Sequence, residues 1–290
     1  MDKIQKFLAY NGKINITCVE TTNLVEEARK LHDLSPVATA VLGRVLTMGA
    51  LMASAFKDKD DSVTLQIRAN GPIGGVTVTA EADGRVRGYV TNPQVEVPLR
   101  KDGKLNVGEA VGNDGFLYVI KDIGLKEPYI GMSKLISGEI AEDFANYYYT
   151  SEQKNTAVAL GVLVNKDGVK KAGGFIVSSL PDATEDELFI LENRLKEAMP
   201  ISKMLEENMS LLEIAKDITG DINIQVLNQE EKEPRYECSC SKEKMARGLQ
   251  TIGKEELEKI IEEDKKAETV CQFCNKKYEF SEEELKSLIS

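Results

Sequence analysis

The sequence predicts an α+β fold in three parts: an N-terminal mixed α/β core domain (residues 1–180), an acidic helical linker (181–231) and a small C-terminal cysteine-bearing domain (232–290). Three observations predict it. Helical and period-two patterns are interleaved, and turn signals at Ala82-Asp83-Gly84-Arg85 and Lys166-Asp167-Gly168 mark hairpins and antiparallel pairing. Formal charge is uneven, with 21 basic and 21 acidic residues in 1–180, 4 against 13 in 181–231, and 12 against 14 in 232–290. Four of the five cysteines fall in two tight pairs near the C-terminus, Cys238/Cys240 and Cys271/Cys274.

Residues 3–20 alternate loosely and read as extended, with Thr22 placed to cap a short helix through Leu31. Ser35-Pro36 is a strong helix start, Ser as N-cap and Pro at the first helical position. The helix that follows is small and apolar on most of its surface, so it belongs in a core. Gly43 and Gly49 would let another backbone approach it, and Arg44 argues against a membrane span. The runs SVTLQIRA, GVTVTAEA, RVRGYVTN and GFLYVIKD alternate with period two and read as strands. Residues 138–153 read as a helix, and 156–165 with 169–180 as a strand hairpin. Pro181 closes this domain. Residues 184–218 read as helices broken at Pro200 and near Asn208, with Leu191, Ile201, Met204, Leu205, Leu211 and Ile214 among many carboxylates. That is a charged helical segment with one apolar face, expected to pack on the core. Residues 222–228 read as a short strand, and Glu230-Glu231-Lys232-Glu233-Pro234 as a boundary.

With 290 residues, 42% of them apolar, the chain can build a sizeable core, and without Trp it must pack with aliphatic side chains. The N-terminal stretch lacks an apolar signal region, so the chain is expected to be soluble, cytoplasmic and free of membrane. A net charge of −11 repels phosphate backbones and argues against nucleic acid as a partner. His32 is the only histidine, so no His-based triad has a partner, and a polar role at a helix end beside Asp33 is expected. Cys18 reads as a buried small hydrophobe. The glycines at 71, 74 and 75 read as a turn, and Tyr147, Tyr148 and Tyr149 as packing residues on different helix faces. No convergent catalytic set is visible, so the chain is not expected to be an enzyme.

The cysteines are spaced C-x-C, thirty residues, C-x-x-C. Clustered thiols in a reducing compartment favour metal or redox chemistry over structural disulfides. Four thiolates suit one tetrahedral zinc ion and leave no position for water, which speaks against a hydrolytic site. Two readings stay open from spacing: a structural zinc ribbon and a redox switch. A thioredoxin-like oxidoreductase is weaker, because no βαβ pattern precedes C-x-x-C. A nucleic-acid zinc module is weaker still, given a charge of −2 over 232–290 and only Tyr236, Phe273 and Tyr278 beside the cysteines. The thin core expected here, from Tyr236, Met245, Leu249, Leu257, Ile261, Tyr278, Phe280 and Leu285 among others, makes the domain depend on its metal. Zinc-held thiolates are also the species that oxidants attack.

The whole chain resembles the heat-shock protein 33 family of redox-regulated chaperonins. The resemblance is carried by the two cysteine pairs, SGEIAEDFANYYYTSEQKNTAVALGVLV at 137–164, AGGFIVSSLP at 172–181, GRVLTMGALMAS at 43–54 and NGPIGGVTV at 70–78. It implies an ATP-independent holdase that binds unfolding client proteins under oxidative stress. The last domain would be a redox switch holding one zinc through Cys238, Cys240, Cys271 and Cys274. The reduced, zinc-bound form would be inactive. Oxidation would form Cys238–Cys240 and Cys271–Cys274 disulfides, release zinc and destabilise the linker, with a homodimer as the active form.

Overall fold

The structure is a computed structural model that describes residues 1–227 and 233–289, and it divides into two compact units, Met1–Tyr236 and Glu237–Ser290. In the larger unit, the loose alternation at the start becomes an antiparallel hairpin, β1 (Lys3–Ala9) and β2 (Ile14–Glu20). Helix α1 (Thr22–His32) follows, but Thr22 does not cap it. The 3% exposed carboxylate of Asp2 takes that role, accepting from Asn23 N at 3.0 Å and Leu24 N at 2.8 Å. A cap supplied from 20 residues away is invisible to a local reading. Helix α2 (Pro36–Ala53) begins as expected, with Ser35 Oγ accepting from Ala38 N at 3.3 Å. It is apolar and long enough to cross a membrane by length and composition alone, yet 89% of it is buried as the central helix of this unit. At Gly43 an added methyl would lie 2.7 Å from Val25 Cγ1 and 2.9 Å from Val162 Cγ2, so side chains, not a backbone, make the expected close approach.

Strands β3 (Ser62–Ala69), β4 (Val76–Glu81) and β5 (Arg85–Val90) form a meander, with Gly84 in the β4–β5 turn. Sequence reading missed the short helix α3 (Val107–Val111) before β6 (Gly115–Asp122), and also β7 (Tyr129–Lys134), whose edge position leaves only alternate residues buried. Helix α4 (Ala141–Ser151) starts three residues later than expected. Asp143 explains this: its buried carboxylate accepts from Ile136 N at 2.7 Å, Ser137 N at 3.1 Å and Ile140 N at 3.0 Å, holding 136–140 in a non-helical turn. Strands β8 (Thr156–Asn165) and β9 (Gly168–Ser179) form the second hairpin.

The acidic segment is helical: α5 (Glu185–Glu197), α6 (Ile201–Glu206) and α7 (Leu211–Thr219). Thr184 with Glu187, and Ser210 with Glu213, form reciprocal capping boxes at the starts of α5 and α7. Strand β10 (Gln225–Leu227) is shorter than the expected 222–228, of which residue 228 lies outside the described residues, as do 230–232 of the expected boundary. Two residues, Arg235–Tyr236, form β11. The sheet orders are β10-β1-β2-β9-β8 and β11-β5-β4-β3-β6-β7.

Helix α2 touches strands of both sheets. Its core includes Val41, Val45, Leu46, Leu65, Val78, Phe144 and Tyr147. The opposite face of the five-stranded sheet carries Phe7, Ile16, Cys18, Phe175 and Val177, and α5–α7 cover it with Leu191, Ile201, Met204, Leu205, Leu211 and Ile214. The apolar face read from 184–218 therefore packs on the core as expected. Tyr10 tethers the end of α7, its hydroxyl donating to Thr219 O at 2.6 Å and its amide to Asp221 at 2.7 Å.

Glu26 ties α1 to the β8–β9 turn, accepting from Arg29 at 2.8 Å and from Val169 N at 2.9 Å. The Arg29 hydrogen bond, aided by the Val169 amide against partial burial, holds its carboxyl down at about 2. A depressed folded-state value gives stability that is present above the unfolded value near 4.3 and lost as pH falls toward 2. Glu26→Gln is expected to cost about 1–2 kcal/mol at pH 7, discounted for solvent screening, and much less at pH 3. Urea titrations at both pH values check this, and a pH-independent cost would count against it.

In the smaller unit, α8 (Lys242–Gln250) and α9 (Lys254–Glu263) are the two helices expected between the cysteine pairs. A hairpin of β12 (Lys266–Val270) and β13 (Lys277–Ser281) and helix α10 (Glu282–Ile289) complete it. Leu257, Ile261, Tyr278, Phe280 and Leu285 are its buried core with Cys271. Tyr236, expected in this core, packs instead against that of the larger unit.

Candidate metal centre

The β12–β13 register brings Val270 opposite Lys277 and leaves Cys271–Lys276 to turn the corner. Cys271 N donates to Lys276 O at 2.9 Å, and Asn275 N donates to Cys271 O at 2.8 Å with Asn275 at φ 55°. Asn is among the few residues that tolerate this left-handed geometry. Such a turn points two cysteines three apart toward one spot. The other pair lies in the irregular segment just before α8, whose first turn is capped by Ser241 Oγ accepting from Lys244 N at 3.3 Å. With that helix start fixed, Cys238 and Cys240 face the turn.

The four Sγ atoms all lie within 4.8 Å of one another. Cys238 and Cys271 Sγ lie 3.7 Å apart, and Cys240 and Cys274 Sγ 3.4 Å apart. A tetrahedron with metal–sulfur bonds of about 2.3 Å has edges of about 3.8 Å, so the cluster is already close to the size a tetrathiolate ion requires. All four sulfurs are unbridged, Cys271 buried and the others partly buried. The set fits a metal ion of zinc type in number, softness and spacing.

Electrostatics agree. The Tyr278 hydroxyl lies 3.1 Å from Cys240 Sγ. Partial burial opposes ionisation of Cys240, but hydrogen bonds from Tyr278, Cys274 and Cys238 outweigh it and bring the thiol down to about 7. Burial pushes Cys274 up to about 11 and raises Cys238 as well, because an apolar setting disfavours the charged thiolate. Cys240 therefore ionises more readily than Cys238 and Cys274, and a dication would favour ionisation of those two as well. Tyr278 was read from sequence only as a core aromatic. Its position four residues after Cys274, on the strand leaving the turn, is the signal that it caps a sulfur.

Other residues singled out by sequence stand elsewhere. Cys18 is fully buried in β2 opposite Phe175, where burial raises its thiol, as a small hydrophobe would sit. His32 does not cap α1 but meets the Tyr236 hydroxyl at 2.9 Å. Residues 71–75 form a turn, and of the three tyrosines Tyr147 is buried, Tyr148 half-buried and Tyr149 exposed.

A family model described as Hsp33 protein matches residues 2–281. A 33 kDa chaperonin of Clostridium beijerinckii is 46% identical over 290 residues, 100% of this chain and 98% of that protein. One of Clostridioides difficile is 46% identical over 288 residues, 99% of this chain and 98% of that protein. The crystal structure of a 33 kDa chaperonin, a heat shock protein 33 homolog from Thermotoga maritima, superposes with a TM-score of 0.89 at 39% identity, covering 99% of this chain and 97% of that one.

Proposed function

The chain belongs to the Hsp33 protein family, and from that premise we propose that it is a redox-regulated, ATP-independent holdase chaperone for unfolding proteins. The observation that carries the switch is the cluster of four unbridged sulfurs within 4.8 Å in a unit with a small core. In the resting form Cys238, Cys240, Cys271 and Cys274 hold one zinc ion as thiolates.

Two equivalents of peroxide convert the four thiolates to two disulfides, Cys238–Cys240 and Cys271–Cys274. Each bond takes two electrons from two sulfurs and, with two protons from solvent, reduces one peroxide to two waters. Zinc leaves because a disulfide sulfur is not a thiolate ligand. This pairing is the one the resemblance to the family implies, whereas the sulfur contacts of 3.7 and 3.4 Å run across the pairs. Unfolding favours sequence neighbours, since the shortest loops close at the lowest entropic cost.

The proposed domain roles follow the sequence: 1–180 as the chaperone core, 181–231 as the regulated linker, 232–290 as the switch. Loss of the linker's packing bares Phe7, Ile16, Cys18, Phe175 and Val177, an apolar face suited to non-native chains. The active form is a homodimer, the compartment is the cytoplasm, and no substrate turnover, nucleic acid or membrane is involved.

The test is aggregation of a thermally unfolding client, with the protein reduced and zinc-loaded and then peroxide-treated, tracking zinc in the same tube. Suppression should appear as one zinc per chain is released. Zinc release without suppression would leave a structural zinc domain, and turnover of a small dithiol substrate would favour an oxidoreductase.

A further inference from the structure

The last residues of the larger unit lie along the edge of β5. Arg235 and Tyr236 pair in parallel with Arg85 and Val86, and Arg235 N donates to Gly84 O at 2.9 Å. Beyond that register the Tyr236 side chain continues the pairing. Its hydroxyl donates to Gly88 O at 2.8 Å and accepts from Gly88 N at 3.3 Å, so one oxygen satisfies both edge groups of a strand residue. His32 Nε2 meets the same hydroxyl at 2.9 Å. Pro234 is buried beside Ile4, Ala50, Ala82 and Val86. Arg235 reaches Asp83, donating to its carbonyl at 3.0 Å with the carboxylate 3.9 Å away. Gly84 makes room for the strap: a Cβ there would stand 2.5 Å from Glu233 O.

A sheet edge covered by so short a strand becomes a template for strand addition once that strand leaves. We propose that β11 is a removable strap over a peptide-binding edge, and that an extended client segment carrying an apolar, a basic and an aromatic residue in succession takes its place. This rests on the chaperone reading above. The occupant is inferred from the chemistry of the segment seated there. Pro234 sits buried among Ile4, Ala50, Ala82 and Val86 at a small cavity, Arg235 meets Asp83, and Tyr236 bridges Gly88. Cys238 lies two residues beyond Tyr236 in sequence, so unfolding that begins at the cysteines has little chain to traverse before it reaches the strap.

The experiment uses the full chain with a photo-crosslinking residue, Tyr89→p-benzoylphenylalanine, on β5, and a permanently unfolded carboxymethylated protein as probe. Crosslinking should be low when reduced and rise after peroxide. Tyr236→Ala should crosslink without oxidant. Tyr236→Phe, which keeps the ring and loses the Gly88 bridge, should raise reduced-state crosslinking about fivefold. A Pro-Arg-Tyr peptide should compete better than Pro-Glu-Gly. If the oxidised protein suppresses aggregation while position 89 captures no client, the strap proposal is overturned and the chaperone reading stands. If the oxidised protein suppresses no aggregation, the chaperone reading itself falls.

Discussion

Stripping the metal is expected to unfold Glu237–Ser290 and leave α2 and the strands packed on it folded. The smaller unit has a core of Leu257, Ile261, Tyr278, Phe280 and Leu285 around Cys271, with Cys238, Cys240 and Cys274 packed against it. The cluster is thus part of the core. Structural zinc contributes on the order of 10–16 kcal/mol in comparable small domains, more than so few aliphatic side chains leave in hand after chain entropy. Without the ion a Cys240 thiolate has no cation beside it in a partly buried cluster where burial disfavours charge. Limited trypsin digestion with a strong zinc chelator should cut rapidly at lysines and arginines of α8, α9 and β13 and spare α2 and the two large sheets. Cys240→Ser should behave like the chelator with metal present. Persistent protection of 242–277 in metal-free protein would contradict the idea, and would make the cysteines passengers in a unit that folds by itself.

The meeting of the four cysteines was legible in the sequence, and for a physical reason. C-x-C and C-x-x-C are local patterns, and two such pairs joined by helical sequence have few ways to meet other than at one ion. The buried helix after Ser35-Pro36 was legible too, because N-cap chemistry and all-round apolar composition are both local. What was not legible came from distant partners. Asp2 caps α1 across the whole β1–β2 hairpin, and Asp143 delays α4 by binding amides upstream of it. Strand β7 exposes Tyr129, Ile130 and Met132, so its sequence lacks the apolar alternation of an inner strand. The partnership of His32 with Tyr236 links residues 204 apart, and no periodicity points to it.

Substituting the buried face of the acidic helices is expected to uncouple client binding from oxidation. Met204 and Ile214 are fully buried against the five-stranded sheet. Helices α6 and α7 have 6 and 9 residues, too short to persist in water without tertiary support. The α7 capping box and the Tyr10 tether fix the ends of α7 but bury little. Ile214→Ala should cost about 2–5 kcal/mol, and Ile214→Asp should cost more, because a carboxylate there has no partner. The segment carries 13 acidic against 4 basic residues over 181–231, so once detached it is repelled by itself and stays solvated instead of collapsing back. Reduced, zinc-loaded Ile214→Asp should therefore suppress client aggregation without peroxide and bind an apolar dye, with its zinc retained. Met199→Ala, at a 40% exposed position, should change stability by less than about 0.5 kcal/mol and leave the switch intact. Retained zinc is the informative readout: activity with the ion in place would put the working surface beneath α6 and α7, with the cysteine unit as its trigger. An Ile214→Asp protein that detaches these helices, by hydrogen exchange, yet stays inactive until oxidised would move the working surface elsewhere.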